Sequence, residues 1–143
     1  MRPDLKMLLY ILSVDNQAHS DYRCYQRAVF AAFGMQRGGL LQMPSGARIR
    51  MRYVIDERPA SAALEGEMAA HGDVLRLPGS ATCLGKIIAA VKHLSSRSRR
   101  SFDVVLFSDD DAVIHPQRFF YDLAEQRPRD VPIVCADRGS NAR

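Results

Sequence analysis

The sequence predicts an α/β fold: a mostly parallel sheet with helices on both faces, in one domain spanning residues 1–143. Apolar runs alternate with helical patterns in the order β-α-β-α-β-α-β-α-β, without an internal repeat. Five of the six residues at 102–107 are apolar, which is typical of a strand buried on both faces of a parallel sheet. With 47% hydrophobic and 25% charged residues, the composition is that of an ordinary globular domain with a real core.

The N-terminal half contains two predicted strands and a helix between them. Residues 7–14 form the first strand, and a polar loop from Asp15 precedes a helix that Ser20 or Asp21 caps and Gly34 ends. The three- and four-residue spacing of one set of side chains predicts its buried side: Tyr22, Tyr25, Val29, Phe30 and Phe33. After a glycine-rich loop at 37–47, apolar residues alternate with arginines over 49–55, so this second strand should have one wet face and lie near the sheet edge.

The C-terminal half continues the alternation. A helix over 61–71 is predicted between a Ser61 cap and Gly72, followed by a short strand at 73–77. A second helical stripe is expected to pack in the core: Leu84, Ile87, Ile88, Val91 and Leu94. The strand at 102–107 follows, Pro116 opens another helix with Phe119, Phe120 and Leu123 facing inward, and a last strand is predicted over 131–136.

Charge and cysteine content exclude some classes of function. The net charge is +4, but the only dense basic cluster, at 97–100, has no interleaved aromatic residues, so we expect a solvated loop and no nucleic-acid partner. Three widely spaced cysteines form no metal motif and allow at most one disulfide. No stretch reaches the 18 or more apolar residues of a membrane span, and we read the N-terminal apolar run as a strand instead of a signal peptide.

Three consecutive aspartates follow the apolar strand at 102–107. Because successive side chains of an extended chain point in opposite directions, Asp109 and Asp111 should converge while Asp110 faces away. Two converging carboxylates favour a divalent cation, and without a neighbouring His or Cys the preference is for Mg²⁺ or Mn²⁺ over Zn²⁺. From this stretch alone, a solvated acidic turn remains an equal alternative.

Four motifs follow one another along the chain: Arg23 and Arg27 in YRCYQRAVF, Glu67 six residues before Asp73 in EMAAHGDVL, the segment CLGK that ends at Lys86, and the three aspartates in LFSDDDAVI. Their order and spacing resemble the β-1,3-galactosyltransferase family, which includes the fringe-like transferases. The resemblance extends from about residue 8 to residue 136. It implies the GT-A nucleotide-diphospho-sugar transferase fold, incomplete at the C-terminus, since the acceptor-binding half of the family has no counterpart here.

The resemblance also implies a function. It is the inverting, metal-dependent transfer of galactose or N-acetylhexosamine from a UDP-sugar to a glycan of a glycoprotein or glycolipid in β-1,3 linkage, at the luminal side of the Golgi membrane. Asp109 and Asp111 would hold Mn²⁺ or Mg²⁺, and the catalytic base would lie outside this chain. The implied contacts with the donor are Arg23, Arg27, Lys86, Asp109 and Asp110.

Two other functions fit the residues. A module that binds a nucleotide sugar without transferring it needs the same donor site and no base. The strand followed by DxDxV also resembles the nucleophile loop of haloacid-dehalogenase-like phosphatases, in which Asp109 would attack phosphate and Asp111 would act as the acid. That motif normally opens its domain, so its late position here favours the transferase.

Overall fold

The structure, a computed structural model, describes residues 5–79, 81–96, 102–112 and 114–118. In these residues, five strands and three helices follow in the order β1 (Lys6–Leu12), α1 (Gln17–Ala32), β2 (Leu40–Gln42), β3 (Arg48–Asp56), α2 (Ala62–His71), β4 (Val74–Leu77), α3 (Cys83–Ser96) and β5 (Val104–Asp109). The predicted α/β class is confirmed. Residues 116–118 are helical from Pro116 onward, as predicted, whereas the rest of that helix, the basic loop and the strand at 131–136 lie outside the described residues.

The five strands form one mixed sheet in the order β2-β3-β1-β5, with β4 also against β3. Strand β1 runs parallel to β3 and β5, and β4 runs parallel to β3, but the short β2 is antiparallel. Strands β2 and β4 share one side of β3, with β2 along residues 48–50 and β4 along residues 53–56. The parallel strands therefore bring their carboxyl ends to one edge of the sheet.

Strand β1 is the buried centre of the described sheet, since every residue from Met7 onward is buried. The predicted first strand is confirmed, although it ends at Leu12. In β5 only Val104 and Leu106 are buried, because β5 pairs only with β1 in the described part of the chain. Strand β3 alternates between a buried and a more exposed face over residues 48–53, as predicted, and it lies next to the edge strands β2 and β4, which agrees with its predicted position near the sheet edge.

Helices cover both faces of the sheet, which confirms that part of the prediction. Phe30 of α1 packs on one face with Met7, Leu9 and Ile11 of β1. On the other face, Ala90 of α3 packs with Leu8 and Tyr10 of β1, whose side chains point to the opposite side of the sheet. The alternating side chains of β1 thus hold two core layers together.

Helix α1 differs most from its prediction. It begins at Gln17, and the Asn16 side chain accepts a hydrogen bond of 3.0 Å from the His19 backbone N–H, so neither Ser20 nor Asp21 is the cap and the predicted loop is the first turn. The predicted apolar side is wrong in its first turns, since Tyr22 and Tyr25 are 44% and 58% exposed. The buried residues are instead mostly polar: Arg23, Gln26, Arg27 and Phe30.

The other helices follow the sequence more closely. Ser61 caps α2 and Gly72 ends it in the left-handed conformation, as predicted. Helix α3 forms as predicted. Leu84, Ile88 and Val91 are exposed, however, so only part of the predicted apolar side of this helix lies in the core. The loop predicted at 37–47 contains the unpredicted strand β2. In the described residues, no helix has the length and apolar character needed to cross a membrane.

Candidate functional site

Asp109, Asp110 and Asp111, here called the acidic turn, lie at the carboxyl edge of the sheet. Asp109 is the last residue of β5, and the chain turns at the next two residues. Asp110 is only 4% exposed, whereas Asp109 is half-buried and Asp111 is exposed. The middle carboxylate thus lies inside the protein and the outer two lie nearer solvent. In open α/β sheets, ligands bind outside this edge.

The side chain of Asp110 is held by β1 and α1. Ser13 Oγ, just beyond β1, donates a hydrogen bond of 2.5 Å to Oδ2 of Asp110, and Nδ1 of His19 lies 2.6 Å from the same oxygen. The backbone is held as well, because Gln26 Nε2 donates to the carbonyl oxygens of Asp110 at 2.8 Å and Ala112 at 2.9 Å.

The donor set of the acidic turn suits a hard divalent cation. Asp109 and Asp111 lie nearer solvent than Asp110, and Mg²⁺ or Mn²⁺ is usually held by one or two carboxylates together with substrate phosphates and water. The described residues contain no group of three or more His, Cys, Asp or Glu side chains that could hold a metal. Asp109 and Asp111 therefore fit a cation shared with a diphosphate and not a cation enclosed by protein ligands.

Behind the acidic turn, a buried network of ion pairs joins α1 to α2 and to Asp73, the residue before β4. Arg23 donates to Glu67 from Nε at 2.6 Å and from Nη2 at 2.8 Å. Arg27 donates from Nη1 to the same carboxylate at 2.5 Å and pairs through two hydrogen bonds with Asp73. Two positive and two negative charges are thus buried together, which offsets the cost of removing them from water.

The electrostatics of this network favour the charged forms of Glu67 and Arg27. Burial raises the pKa of Glu67, but hydrogen bonds from Arg23 and Arg27 outweigh it and leave the pKa below its usual value. Burial likewise lowers the pKa of Arg27, yet Asp73 and Glu67 leave it raised overall. The guanidinium of Arg27 also lies 4.8 Å from the ring centre of Tyr53, whose pKa burial raises above its ordinary value.

The network uses the two arginines that the sequence suggested as donor contacts. Arg23 is 1% exposed and also donates from Nη1 to Ser13 Oγ at 2.7 Å and to the Val14 carbonyl at 2.8 Å. Through Ser13, Arg23 is connected to Asp110. Arg27 is buried farther along the helix, against Asp73. Both arginines thus fix α1 next to the acidic turn through their ion pairs with Glu67 and Asp73.

Lys86 lines a cleft of about 230 Å³ at the carboxyl ends of β1 and β3. Its side chain is 4% exposed, and no hydrogen bond or ion pair joins the ammonium to another residue in the described part of the chain. Two acidic residues, Asp15 and Asp56, share the cleft, but Asp15 accepts hydrogen bonds from Ser61. Arg58, and to a smaller extent Lys86, lower the pKa of Asp56. A buried cation beside a cleft suits an anionic or carbonyl-bearing ligand.

The sequence interpretation missed three residues that surround Asp110: Ser13, His19 and Gln26. A signal was available for the helical pair, since His19, Arg23, Gln26 and Arg27 recur at three- and four-residue spacing and form a polar stripe. Ser13 is a polar residue directly after the apolar run of β1, at the edge where ligands bind.

The chain matches no known protein-family model, and no curated protein is significantly similar to it. The function is therefore inferred from the geometry and from the motifs described above.

Proposed function

We propose that this chain is the nucleotide-sugar half of a metal-dependent, inverting hexosyltransferase. It would bind a UDP-sugar, with galactose or N-acetylhexosamine as the hexose, for transfer to a glycan acceptor in β-1,3 linkage. The observation that carries the proposal is the acidic turn at the carboxyl edge of a mostly parallel sheet. The Golgi lumen as its location belongs to the same proposal and rests on the resemblance alone.

Each part of the site has a separate role in donor binding. Asp109 and Asp111 would hold Mn²⁺ or Mg²⁺, which supplies positive charge to stabilise the departing diphosphate. Lys86 would donate a charge-assisted hydrogen bond to the nucleotide in the adjacent cleft. The Arg23 and Arg27 network would keep α1 fixed beneath these groups. None of these residues is proposed to deprotonate the acceptor.

A second function is favoured by the way the site residues are used. Arg23 and Arg27 are committed to buried ion pairs, and His19, the imidazole beside the acidic turn, contacts Asp110. Asp109 and Asp111 at the carboxyl edge of the sheet are assigned to cation binding, and no described residue there is assigned as the base that would deprotonate an acceptor. A module that holds a nucleotide sugar without transferring it accounts for the same geometry.

Calorimetry of the purified chain with UDP, with Mn²⁺ and with both together tests the donor site. We expect saturable binding of UDP that depends on Mn²⁺, and weaker binding of ADP as a control for base preference. If neither Mn²⁺ nor Mg²⁺ changes UDP binding, the proposal is wrong. Multiple-turnover transfer from UDP-galactose or UDP-N-acetylglucosamine to a glycan would separate the enzyme from the binding module, and hydrolysis of a simple phosphate ester would favour the phosphatase.

A further inference from the structure

Side chains from outside the acidic turn hold that turn in place. We propose that Gln26, His19 and Ser13 are positioning residues, which fix the acidic turn so that Asp109 and Asp111 face a divalent cation together. The inference rests on the proposed function, because it concerns the geometry of the same cation site. It assigns no direct contact with substrate or metal to these three residues.

The turn itself contributes little to its own geometry. A backbone hydrogen bond from Ala112 N–H to the Asp109 carbonyl spans 3.4 Å, which is beyond the ordinary range for such bonds. The contacts from Ser13, His19 and Gln26 span 2.5 to 2.9 Å. The shorter contacts dominate because hydrogen-bond strength falls with distance. Among the contacts between described residues, those from β1, α1 and Ser13 thus contribute most to the conformation of residues 109–112.

Gln26 is the most specific of the three residues. Its amide nitrogen donates to two carbonyl oxygens, so the amide has one orientation in which both bonds form. Its Oε1 atom is buried and has no hydrogen-bond partner among the described residues. A buried unpaired acceptor destabilises a fold by about 1–3 kcal/mol. The two donated bonds are the compensating interaction, and both of them end on the turn.

Ser13 connects the turn to the buried ion pairs. Its hydroxyl donates to Asp110 and accepts from Nη1 of Arg23, which in turn pairs with Glu67. His19 adds a second contact to the same carboxylate oxygen from the first turns of α1. The acidic turn and α1 are therefore held as one unit, although the residues in contact lie 84 to 91 positions apart in sequence.

A one-atom substitution provides the main test. Gln26→Glu keeps the shape of the side chain but places a carboxylate oxygen against two carbonyl oxygens, so it repels the turn where the amide attracted it. Gln17→Glu, on the exposed side of the same helix, adds the same charge and is the matched control. His19→Ala, at a half-exposed position, is a milder second variant, and His19→Asn restores an N–H donor.

Two readouts are measured on each folded variant: hydrogen exchange of the backbone amides at residues 108–112, and Mn²⁺ affinity in the presence of UDP. We expect Gln26→Glu and His19→Ala to accelerate exchange at these residues and to weaken Mn²⁺ binding at least tenfold. His19→Asn should recover most of the loss, and Gln17→Glu should change neither readout.

Unchanged exchange at residues 108–112 in folded His19→Ala and Gln26→Glu would overturn the positioning role. If Gln26→Glu does not fold, the same comparison between His19→Ala and His19→Asn decides it. Failure of the wild-type chain to bind Mn²⁺ with UDP would instead overturn the proposed function. Faster exchange in the variants would then still establish that these residues hold the turn.

Discussion

Arg27 and Asp73 are joined by two parallel hydrogen bonds, from Nε to Oδ2 at 2.8 Å and from Nη2 to Oδ1 at 2.7 Å. Both side chains are buried, and they come from α1 and from the residue before β4. A bidentate pair of this kind fixes direction as well as distance. It holds the middle of α1 against the sheet at a position where the helix has no large apolar side chain to do so.

Replacing Arg27 with Met should lower the free energy of unfolding by about 3–5 kcal/mol, because Asp73 would remain buried without its partner. Urea denaturation measures the change. The control is Arg58→Met, which removes an ion pair with Asp56 in which the Arg58 side chain is 73% exposed. That variant should change the free energy by at most about 1 kcal/mol. Equal losses in the two variants would contradict the structural role of the buried network.

Glu67 should make the stability depend on pH. Hydrogen bonds from Arg23 and Arg27 hold the pKa of Glu67 below its ordinary value despite burial. The contribution of these bonds to folding stability is therefore complete above about pH 4.3, the pKa of a glutamate in the unfolded chain. The contribution is lost as the pH falls through the lower pKa of the folded state. The difference in unfolding free energy between the wild-type chain and Glu67→Gln should therefore shrink below about pH 4.

A Glu65→Gln variant controls for this measurement, since Glu65 lies exposed on the same helix. Its difference from the wild-type chain at pH 7 should be much smaller than that of Glu67→Gln. A Glu67→Gln difference that stays constant from pH 7 to the acid limit would show that the carboxylate is not held below its usual pKa.

Local signals predicted the elements that depend on local chemistry. Helix α2 has its cap at Ser61 and its stop at Gly72, and both are visible in the sequence because capping involves neighbouring residues. The exposed tyrosines of α1 could not be predicted in this way. Periodicity assumes that the apolar side is buried, but the partners of Arg23 and Arg27 are Glu67 and Asp73, which lie 40 to 46 residues farther along the chain.

The same distinction applies to the candidate site. Alternation along an extended strand predicted that Asp110 would point away from Asp109 and Asp111. Asp110 is the buried member of the three, but the strand ends at Asp109 and residues 110 and 111 form a turn, so strand alternation does not explain its direction. The residues of α1 that contact Asp110 are His19 and Gln26. Because they lie on a different element, no local rule could predict that they are its partners. Strand β2 was not predicted because its three residues are too few to show the alternation of apolar and polar side chains that indicates a strand.

Gly39 should tolerate no side chain. Its φ is +70°, and a Cβ atom there would lie 2.2 Å from the Met51 carbonyl oxygen. Gly34→Ala is the matched control, because φ is +89° and no atom lies within 4 Å of the added carbon. The control should cost about 1–2 kcal/mol of stability from backbone strain alone. Gly39→Ala should cost about 1–3 kcal/mol more from overpacking, as measured by urea denaturation.

Lys86→Met should move stability and binding in opposite directions. No hydrogen bond or ion pair holds the Lys86 ammonium among the described residues, so removing this buried charge should raise the free energy of unfolding by about 1 kcal/mol or more. In the proposed site, the same change should weaken UDP binding about tenfold, equivalent to about 1.4 kcal/mol. Lys92→Met, at an exposed position of the same helix, should change neither quantity. A Lys86 variant that binds UDP as well as the wild-type chain would remove Lys86 from the donor site.

Asp111→Ala should abolish most of the Mn²⁺-dependent gain in UDP affinity, at least tenfold, and should cost less stability than Asp110→Ala because the Asp111 side chain is exposed. Asp109→Ala should reduce the same gain. Asp110→Ala should instead lower stability, since Ser13 and His19 would lose a buried partner. Calorimetry and urea denaturation on the three variants separate the effects. Equal stability losses at all three positions would contradict the different placements of these carboxylates.

The polar buried side of α1 constrains the order in which the chain can fold. Arg23, Arg27 and Gln26 become paired only when residues 67, 73 and 110 are in place, and until then burying that side of the helix would leave unpaired charges in the core. The pairing of β1 with β3 carries no such condition. We therefore expect helix α1 to complete its docking only after these sequence-distant segments have assembled.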